Sequence, residues 1–428
     1  GSIVLGWDGT ADSKPSNTVV GTAAALTKTT ILNLSVGASV PVSGVDPTTG
    51  QGIIVPYGIS PDGLTWIDPR GVDITINGLP DHGVTLAAES VSMDSAASID
   101  LRGGGDLLAY RWIPGVGGSS DLLGTATLSW SSASEYNAGD LVLHDGKTWS
   151  ARSDLDPSDF TTPPEPSESN YWSLVPESYA ILPVSSFAFA PYNSFNTGDN
   201  SGSLGGDPGF VSSSLRVGEQ IHLPSSSGLP AGSYTLLPRR YGVLPGAYLV
   251  VPQSGSLAST SEVRTTRSPG AIQAPAANNR SIEMEEGSRF VYAYAQNGLT
   301  TSSEAPSVYA GFEVLSPAVI QNRIQFDKYN ANSFLSSAAS RLGLTETQRL
   351  PKDSASLQIQ GNSGLSLLGS VLAPSTIGGR GADIDLSSDS PIEIHAAGAS
   401  PIAAALNASI LNSWNANSLL IGALRTTS

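Results

Sequence analysis

The sequence contains no cysteine among its 428 residues. This absence excludes disulfides, thiolate metal sites and cysteine nucleophiles. The chain also lacks any run of about eighteen consecutive apolar residues, the length that a membrane-spanning helix requires. No membrane span is therefore expected in this segment.

Positive charge is scarce as well. Lysine and arginine number 21 against 37 aspartate and glutamate residues, and the formal net charge is −16. Nucleic acids and anionic membrane surfaces are bound by basic stripes, so neither is an expected partner. The sequence also has no HExxH pair and no GxSxG elbow. The histidines stand in unrelated contexts, at His82, His144, His222 and His395, so no metal, cofactor or catalytic residue is predicted.

What the sequence does contain favours strands and turns. It has 46 glycines and 29 prolines, and 39% of its residues are hydrophobic, which is enough for a core. In residues 83–105 (GVTLAAESVSMDSAASIDLRGGG), apolar residues alternate with small polar ones, and polar corners divide the pattern into three short strands. The alternation recurs in residues 357–394. Strands this short need a copy stacked above and below them, so both passages predict rungs of a parallel β-helix.

This pattern divides the chain into four parts. We expect a β-helix with loops over residues 3–128 and its continuation over residues 351–428. A small inserted β domain, called the insert below, covers residues 129–176, and an irregular, strand-rich lobe outside the helix covers residues 177–350. Smaller elements are predicted at three places: a strand over residues 72–76, a hairpin turn at Asn297-Gly298 and a helix over residues 331–344.

The insert is dense in aromatic residues. It contains three of the seven tryptophans and two tyrosines, and flat aromatic faces match the apolar C–H faces of sugar rings. Residues 144–147 (HDGK) are typical of a tight hairpin turn. The candidate carbohydrate-binding residues are Trp130, Tyr136, Trp149, Tyr171 and Trp172. Alternatively, Trp149 and Trp172 form the core of the small domain.

Several short phrases of the insert form a further pattern: YNAGD at 136–140, GKTW at 146–149 and YW at 171–172. They resemble the small chitin-binding-type carbohydrate modules that are attached to chitinases and that also occur in phage tail proteins. The resemblance implies a compact twisted sheet that holds polysaccharide on exposed aromatics, with Trp130 and Tyr136 as leading aromatics and Trp172 as the terminal tryptophan. Where chitin-binding members carry adjacent tryptophans, this chain has Ser153-Asp154. Half of the expected stacking face is therefore missing.

Phrases outside the insert carry a second resemblance. They are LLAYRWIPGVGG at 107–118, LPAGSYTLLPRRYGVLPGAYLV at 229–250, GGRGADIDL at 378–386 and ASILNSWNANSLLIG at 408–422. In this order they resemble recurrent passages of the filamentous-haemagglutinin-like exoproteins of the two-partner secretion class. The resemblance implies a secreted right-handed β-helix that is exported unfolded through an outer-membrane partner. Its implied role is adhesion at the bacterial cell surface.

These features predict an all-β binding protein and not an enzyme. We expect a segment of a surface adhesin, in which a β-helical stalk displays the insert to a polysaccharide or cell-surface glycan. Two alternatives stay open. Asp383 and Asp385 alternate on one predicted strand, and paired carboxylates on a β-helix could cleave glycosidic bonds in a polysaccharide-degrading enzyme. The chain could also be an architectural spacer that acts through protein contacts.

Overall fold

The computed structural model describes most of the chain. The described residues are 2–7, 27–69, 71–80, 82–114, 121–124, 128–145, 147–167, 170–183, 217–253, 282–283, 287–296, 308–344, 348–374, 376–396 and 404–425. Among them, strands predominate and helices are few. No helix in these ranges is long and apolar enough to cross a membrane. The predicted hairpin turn at Asn297-Gly298 lies outside the described residues.

The strands are short, and their bounds are as follows. They are β1 (Ser2–Leu5), β2 (Ile31–Leu34), β3 (Ser39–Pro41), β4 (Ile54–Ile59), β5 (Gly83–Met93), β6 (Ser98–Asp100), β7 (Asp106–Trp112), β8 (Leu128–Ser129), β9 (Leu141–His144), β10 (Lys147–Ala151), β11 (Trp172–Leu174), β12 (Tyr179–Ile181), β13 (Gln220–Leu223), β14 (Gly232–Thr235), β15 (Leu237–Pro238), β16 (Tyr248–Gln253), β17 (Ile282–Glu283), β18 (Arg289–Gln296), β19 (Val308–Leu315), β20 (Phe326–Asn330), β21 (Ser356–Leu367), β22 (Ser370–Leu372), β23 (Asp383–Ser387), β24 (Ile392–His395), β25 (Ala404–Asn407) and β26 (Ser418–Ile421). The α-helices are α1 (Pro317–Arg323), α2 (Ala331–Leu342) and α3 (Ala408–Ser413), with 3-10 turns at Pro157–Asp159, Ser225–Ser227 and Arg239–Val243.

The chain divides into two compact units. Unit 1 consists of Gly1–Val55, Asp73–Leu107 and Tyr329–Ser428, and unit 2 consists of Pro56–Val72 and Leu108–Lys328. The insert is part of unit 2. Each unit has strands and buried cores of its own.

Unit 1 is built on parallel strands far apart in sequence. Its main sheet has the order β1-β5-β21-β23-β26, and each neighbouring pair is parallel. The first two strands predicted in residues 83–105 are one continuous strand, β5, which pairs with β21 across almost its full length. A second parallel sheet has the order β22-β6-β3. Both passages that the sequence marks as rungs therefore pair with each other in parallel.

The parallel register stacks apolar side chains into columns. Leu86 of β5 pairs with Ile359 of β21, which in turn pairs with Leu386 of β23. All three side chains are fully buried. Leu5 and Ile421 occupy the same column at its two ends and are partly buried against the same core. Burial of such columns is the main stabilising contribution to unit 1, at about 25 cal/mol for each Å² of apolar surface removed from water.

Residues 108–328 are a long excursion of the chain from unit 1, and the segments on either side of it contact each other within unit 1. The chain leaves after Leu107 and returns at Tyr329. Asp106 Oδ2 accepts a hydrogen bond from Asn330 Nδ2 at 3.0 Å, and Asp106 Oδ1 accepts one from the Asn332 backbone N–H at 3.0 Å. Asn332 Nδ2 also donates to the Gly105 carbonyl at 3.0 Å. These contacts hold the exit and return segments side by side.

The glycines before this exit serve close backbone packing. A Cβ atom on Gly103 would lie 2.2 Å from the Lys352 carbonyl oxygen, so no other residue fits there without movement. The strand β7 follows directly, and no helix begins here. The glycine run therefore allows backbones to approach closely and is not a phosphate-binding loop.

Helix α2 confirms the predicted helix at residues 331–344. Its buried face consists of Ala331, Phe334, Leu335, Ala338 and Ala339, which is the spacing expected of an amphipathic helix. Gly343 ends the helix in the left-handed conformation, at φ 62°. The predicted strand at residues 72–76 is wrong, because these residues form a turn in which the Asp73 carboxylate accepts the Thr75 N–H at 2.8 Å.

Unit 2 contains an antiparallel sheet that is covered on both faces. Its order is β14-β13-β18-β19-β16-β12-β15, with β17 beside β18. Along β16, Leu249 and Val251 belong to one buried cluster and Val250 belongs to another. Because successive side chains of a strand point to opposite faces, each cluster covers one face. Val319 and Ile320 of α1 belong to the first cluster.

Candidate glycan-binding site

The insert is a small four-stranded sheet with the order β11-β10-β9-β8. Strands β9 and β10 form a hairpin in which Lys147 pairs with His144. Asp145 lies in the turn at φ 50°, a left-handed conformation that aspartate tolerates better than most residues. Gly146, which belongs to the same predicted turn, lies outside the described residues. The pairing confirms the hairpin expected from the sequence.

Trp172 is at the centre of the insert's core. Its side chain is 1% exposed and packs with Val142, Ala151 and Leu155. Its indole Nε1–H donates a hydrogen bond to the Pro164 carbonyl at 2.9 Å, which satisfies the one polar group that burial of the ring would otherwise leave unpaired. Trp172 therefore has a structural role, as the alternative interpretation of the sequence expected.

A shallow groove lies beside this core and is called the aromatic groove below. It encloses about 200 Å³, counting the space that is open to solvent. Its lining combines aromatic rings, prolines and small hydroxyl side chains: Trp130, Tyr136, Phe160 and Trp172, Pro157, Pro163 and Pro164, Ser131 and Ser134, and Leu155. Such a combination of apolar faces and hydroxyl groups suits a ring-shaped ligand with polar edges.

Tyr136 is fixed in position at the groove wall. Its ring meets Trp172 edge to face at a centroid distance of 5.3 Å. Its hydroxyl accepts a hydrogen bond from the Ser131 N–H at 2.7 Å and donates one to the Ser131 carbonyl at 3.1 Å. The backbone of Tyr136 also bridges to Leu155. Because these contacts already fix the orientation of the Tyr136 ring, ligand binding would cost little conformational entropy at this side chain.

The other predicted aromatics differ in their positions. Trp130 is half-buried, lines the groove and meets the His144 ring edge to face at 5.2 Å. Trp149 is half-buried on β10 and is not a lining residue. Tyr171 is half-buried and contacts Phe160 edge to face at 5.4 Å. The structure thus brings Trp130, Tyr136 and Trp172 together in one groove.

Phe160 is a groove residue that the sequence pattern did not reveal. It follows the short 3-10 turn at Pro157–Asp159, outside any strand, so no alternation marks it. Its position between Pro157 and Pro163 indicates only a loop, because proline favours turns. The groove-lining hydroxyls of Ser131 and Ser134 were likewise not predicted.

Two aspartates, Asp154 and Asp156, flank the groove-lining residue Leu155 in sequence. Asp154 stands where the resemblance expects a tryptophan, and its Oδ1 accepts a hydrogen bond from the Ala138 N–H at 2.8 Å. Asp156 caps the 3-10 turn, and its hydrogen bonds with Ser158 lower the pKa of its carboxyl group. Asp156 therefore stays ionised at neutral pH. Leu155, which stands between these two aspartates in sequence, lines the groove.

The opposite face of the insert's sheet is buried through polar contacts. Thr148 and Ser150 of β10 are 3% and 2% exposed. The buried guanidinium of Arg239 donates from Nη2 to the Thr148 hydroxyl at 3.3 Å and from Nη1 to the Pro176 carbonyl at 3.4 Å. This face is buried within unit 2. The aromatic groove lies on the other face of the sheet, where a ligand can reach it.

The two carboxylates that alternate along β23 are each held by an arginine. Asp383 is hydrogen-bonded to Arg349, and Asp385 forms an ion pair with Arg425 at 2.7 Å. Asp385 is 3% exposed and also accepts the Arg425 backbone N–H at 2.6 Å. Both carboxylates therefore have structural partners. Within the described ranges, no three Asp, Glu or His residues converge as a metal site would require.

Comparisons with protein-family models, with curated proteins and with solved structures found no match for this chain. Two features of the aromatic groove bear on ligand choice: pre-positioned aromatic rings and hydroxyl groups beside them.

Proposed function

We propose that this chain is a segment of a secreted bacterial surface adhesin, in which the insert binds glycan. The aromatic groove carries this proposal, because it holds Tyr136 and Trp130 beside serine hydroxyls on the open side of the sheet. Apolar sugar faces pack on aromatic rings, and sugar hydroxyls exchange hydrogen bonds with serine side chains. The resemblance of the insert to carbohydrate modules points to the same ligand class.

The parallel sheets of unit 1 support a stalk-like role. We propose that they belong to a right-handed parallel β-helix, as the resemblance to filamentous exoproteins implies. Parallel pairing of β1, β5, β21, β23 and β26 is the ladder that such a helix needs. Each rung pairs with the rungs above and below, so the stack resists bending and places a displayed module at a distance from the cell.

Binding by one groove of this size is expected to be weak. The groove is shallow, and aromatic contacts contribute roughly 0.5–1.5 kcal/mol each. Many copies on one cell surface would raise the apparent affinity, because the second contact forms at a high effective concentration. Attachment through avidity fits a surface adhesin exported through an outer-membrane partner.

A glycan array tests this proposal. The intact chain, a variant lacking residues 129–176 and the variants Trp130→Ala and Tyr136→Ala would be compared on neutral, amino-sugar and uronic-acid polysaccharides. We expect binding by the intact chain, loss with the deletion, and at least a fivefold reduction with each substitution, about 1 kcal/mol per lost ring contact.

Tyr329→Ala is the matched control, because it also removes a half-buried ring in an edge-to-face contact, with Phe334 at 5.9 Å, but in unit 1. Circular dichroism and thermal unfolding would establish that every variant is folded. If the intact chain binds no glycan, or if Trp130→Ala and Tyr136→Ala bind as well as Tyr329→Ala, the insert is a scaffold and the spacer interpretation replaces the adhesin.

A further inference from the structure

Phe160 brings to the aromatic groove a ring that none of the predicted site residues supplies. The aromatic lining consists of Trp130, Tyr136, Phe160 and Trp172. Trp172 is only 1% exposed, and its indole N–H is already bonded to the Pro164 carbonyl. A ligand therefore finds little free surface on Trp172. Phe160, in contrast, is half-buried, so part of this residue stays accessible in the groove.

The backbone of Phe160 is held by the 3-10 turn that precedes it. Asp156 caps this turn, because its Oδ1 accepts the Ser158 N–H at 2.8 Å and the Ser158 hydroxyl at 2.7 Å. The Phe160 N–H donates to the Pro157 carbonyl at 3.3 Å. These hydrogen bonds fix the point at which the Phe160 side chain leaves the backbone.

The ring of Phe160 is held by Tyr171. The two rings meet edge to face, with centroids 5.4 Å apart and ring planes at 87° to each other. Both side chains pack against the core that contains Leu155 and Trp172. Tyr171 is not one of the described residues that line the groove, and Phe160 is the lining ring that it contacts. An effect of the Tyr171 ring on a ligand in the groove therefore passes through Phe160.

Taking the insert to be a glycan-binding module, as proposed above, we infer that Phe160 is a third ligand-contacting ring of the groove and that Tyr171 is a positioning residue that acts through it. A ring whose orientation is already fixed loses less conformational freedom on binding, and this raises affinity. The face of Phe160 adds a contact for an apolar sugar face to those at Trp130 and Tyr136. Tyr171 thus supports the site and does not contact the ligand.

A double-mutant cycle distinguishes contact from positioning. The intact chain, Phe160→Ala, Tyr171→Ala and the double variant would be titrated calorimetrically with oligomers of glucose, of N-acetylglucosamine and of a uronic acid. We expect Phe160→Ala to weaken binding roughly fivefold and Tyr171→Ala roughly threefold. The double variant should bind no more weakly than Phe160→Ala alone. Tyr171→Phe keeps the supporting ring and should retain the affinity of the intact chain.

Two further variants separate loss of binding from loss of folding. Phe160→Leu keeps an apolar side chain in the packing of the insert but removes the aromatic face, so it should also weaken binding. Tyr329→Ala is again the matched control, because it removes one ring of an edge-to-face pair in unit 1 and should leave affinity unchanged. Circular dichroism and thermal unfolding would establish that each variant is folded.

The outcomes separate this inference from the proposed function. Unchanged affinity in Phe160→Leu and Phe160→Ala, with Trp130→Ala still weakened, overturns the role of Phe160 but leaves a glycan-binding module. A double variant whose loss equals the product of the two single losses overturns the positioning role, because Tyr171 then acts independently of Phe160. Failure of the intact chain to bind any of the three oligomers overturns both proposals.

Discussion

The stacked columns of unit 1 make a quantitative prediction about where stability resides. Ile359 is fully buried between Leu86 and Leu386. Ile359→Ala therefore opens a cavity, and the neighbours on both sides keep this cavity from collapsing. Such truncations cost about 2–5 kcal/mol, and a site that cannot collapse falls in the upper half of that range. We expect Ile359→Ala to lower the free energy of unfolding of unit 1 by about 3–5 kcal/mol.

Position in the stack provides the comparison. Ile421 is in the same column but at its end, half-buried, with Leu386 as its neighbour on one side. Ile421→Ala should cost about 1 kcal/mol, because fewer contacts are lost and water already reaches the side chain. Leu372→Ala, at a residue that is 41% exposed, is the control and should cost less still.

Urea unfolding and differential scanning calorimetry of the full chain would measure these losses. For a unit of this size, each kcal/mol lowers Tm by roughly 2–4 °C, so Ile359→Ala should lower the transition of unit 1 by roughly 6–20 °C. The reasoning fails if Ile359→Ala costs no more than Ile421→Ala. In that case the columns would not behave as one continuous core.

Two further predictions concern single polar groups. Asp106→Ala removes the acceptor shared by Asn330 and Asn332 and should destabilise unit 1 by about 1–3 kcal/mol. Asp106→Asn keeps an acceptor and should destabilise unit 1 less. Equal urea unfolding midpoints for the two variants would contradict this. The His82 Nε2 lies 2.6 Å from the Val42 carbonyl, and burial, together with nearby positive charge, lowers the pKa of this imidazole below 6.5. The unfolded chain then binds a proton more readily than the native one, so stability is lost as pH falls below about 6.5. His82→Gln should remove this part of the pH dependence in unfolding measured from pH 8 to pH 5, and an unchanged slope would refute the assignment.

The sequence was most informative where local pattern and final contacts agree. Alternation in residues 83–105 indicated strands, and the stacking requirement of short strands indicated parallel partners. The pairing of β5 with β21 meets that requirement across more than 260 residues of sequence. Helix α2 was visible for a similar reason, since its buried face repeats at helical spacing.

The sequence was least informative where a side chain's partner comes from a distant segment. Asp383 and Asp385 look like a carboxylate pair on one strand, but Arg349 and Arg425 neutralise them. No pattern in the sequence around Asp383 and Asp385 indicates these arginine partners. Phe160 is the same kind of case, because its place in the groove depends on a loop whose course is set by prolines and by contacts with Tyr171.

The tie at Asp106 also explains how a stack of short parallel strands accommodates an excursion of residues 108–328. Closing a longer connection costs entropy that grows only logarithmically, at about 0.6 kcal/mol for each doubling of length. An excursion of roughly 220 residues is between three and four doublings longer than a loop of about 20 residues, which amounts to about 2 kcal/mol. The hydrogen bonds from Asn330 and Asn332 to one carboxylate are of the same size, at about 1–3 kcal/mol. Anchoring the exit and return segments to each other therefore offsets the closure cost locally.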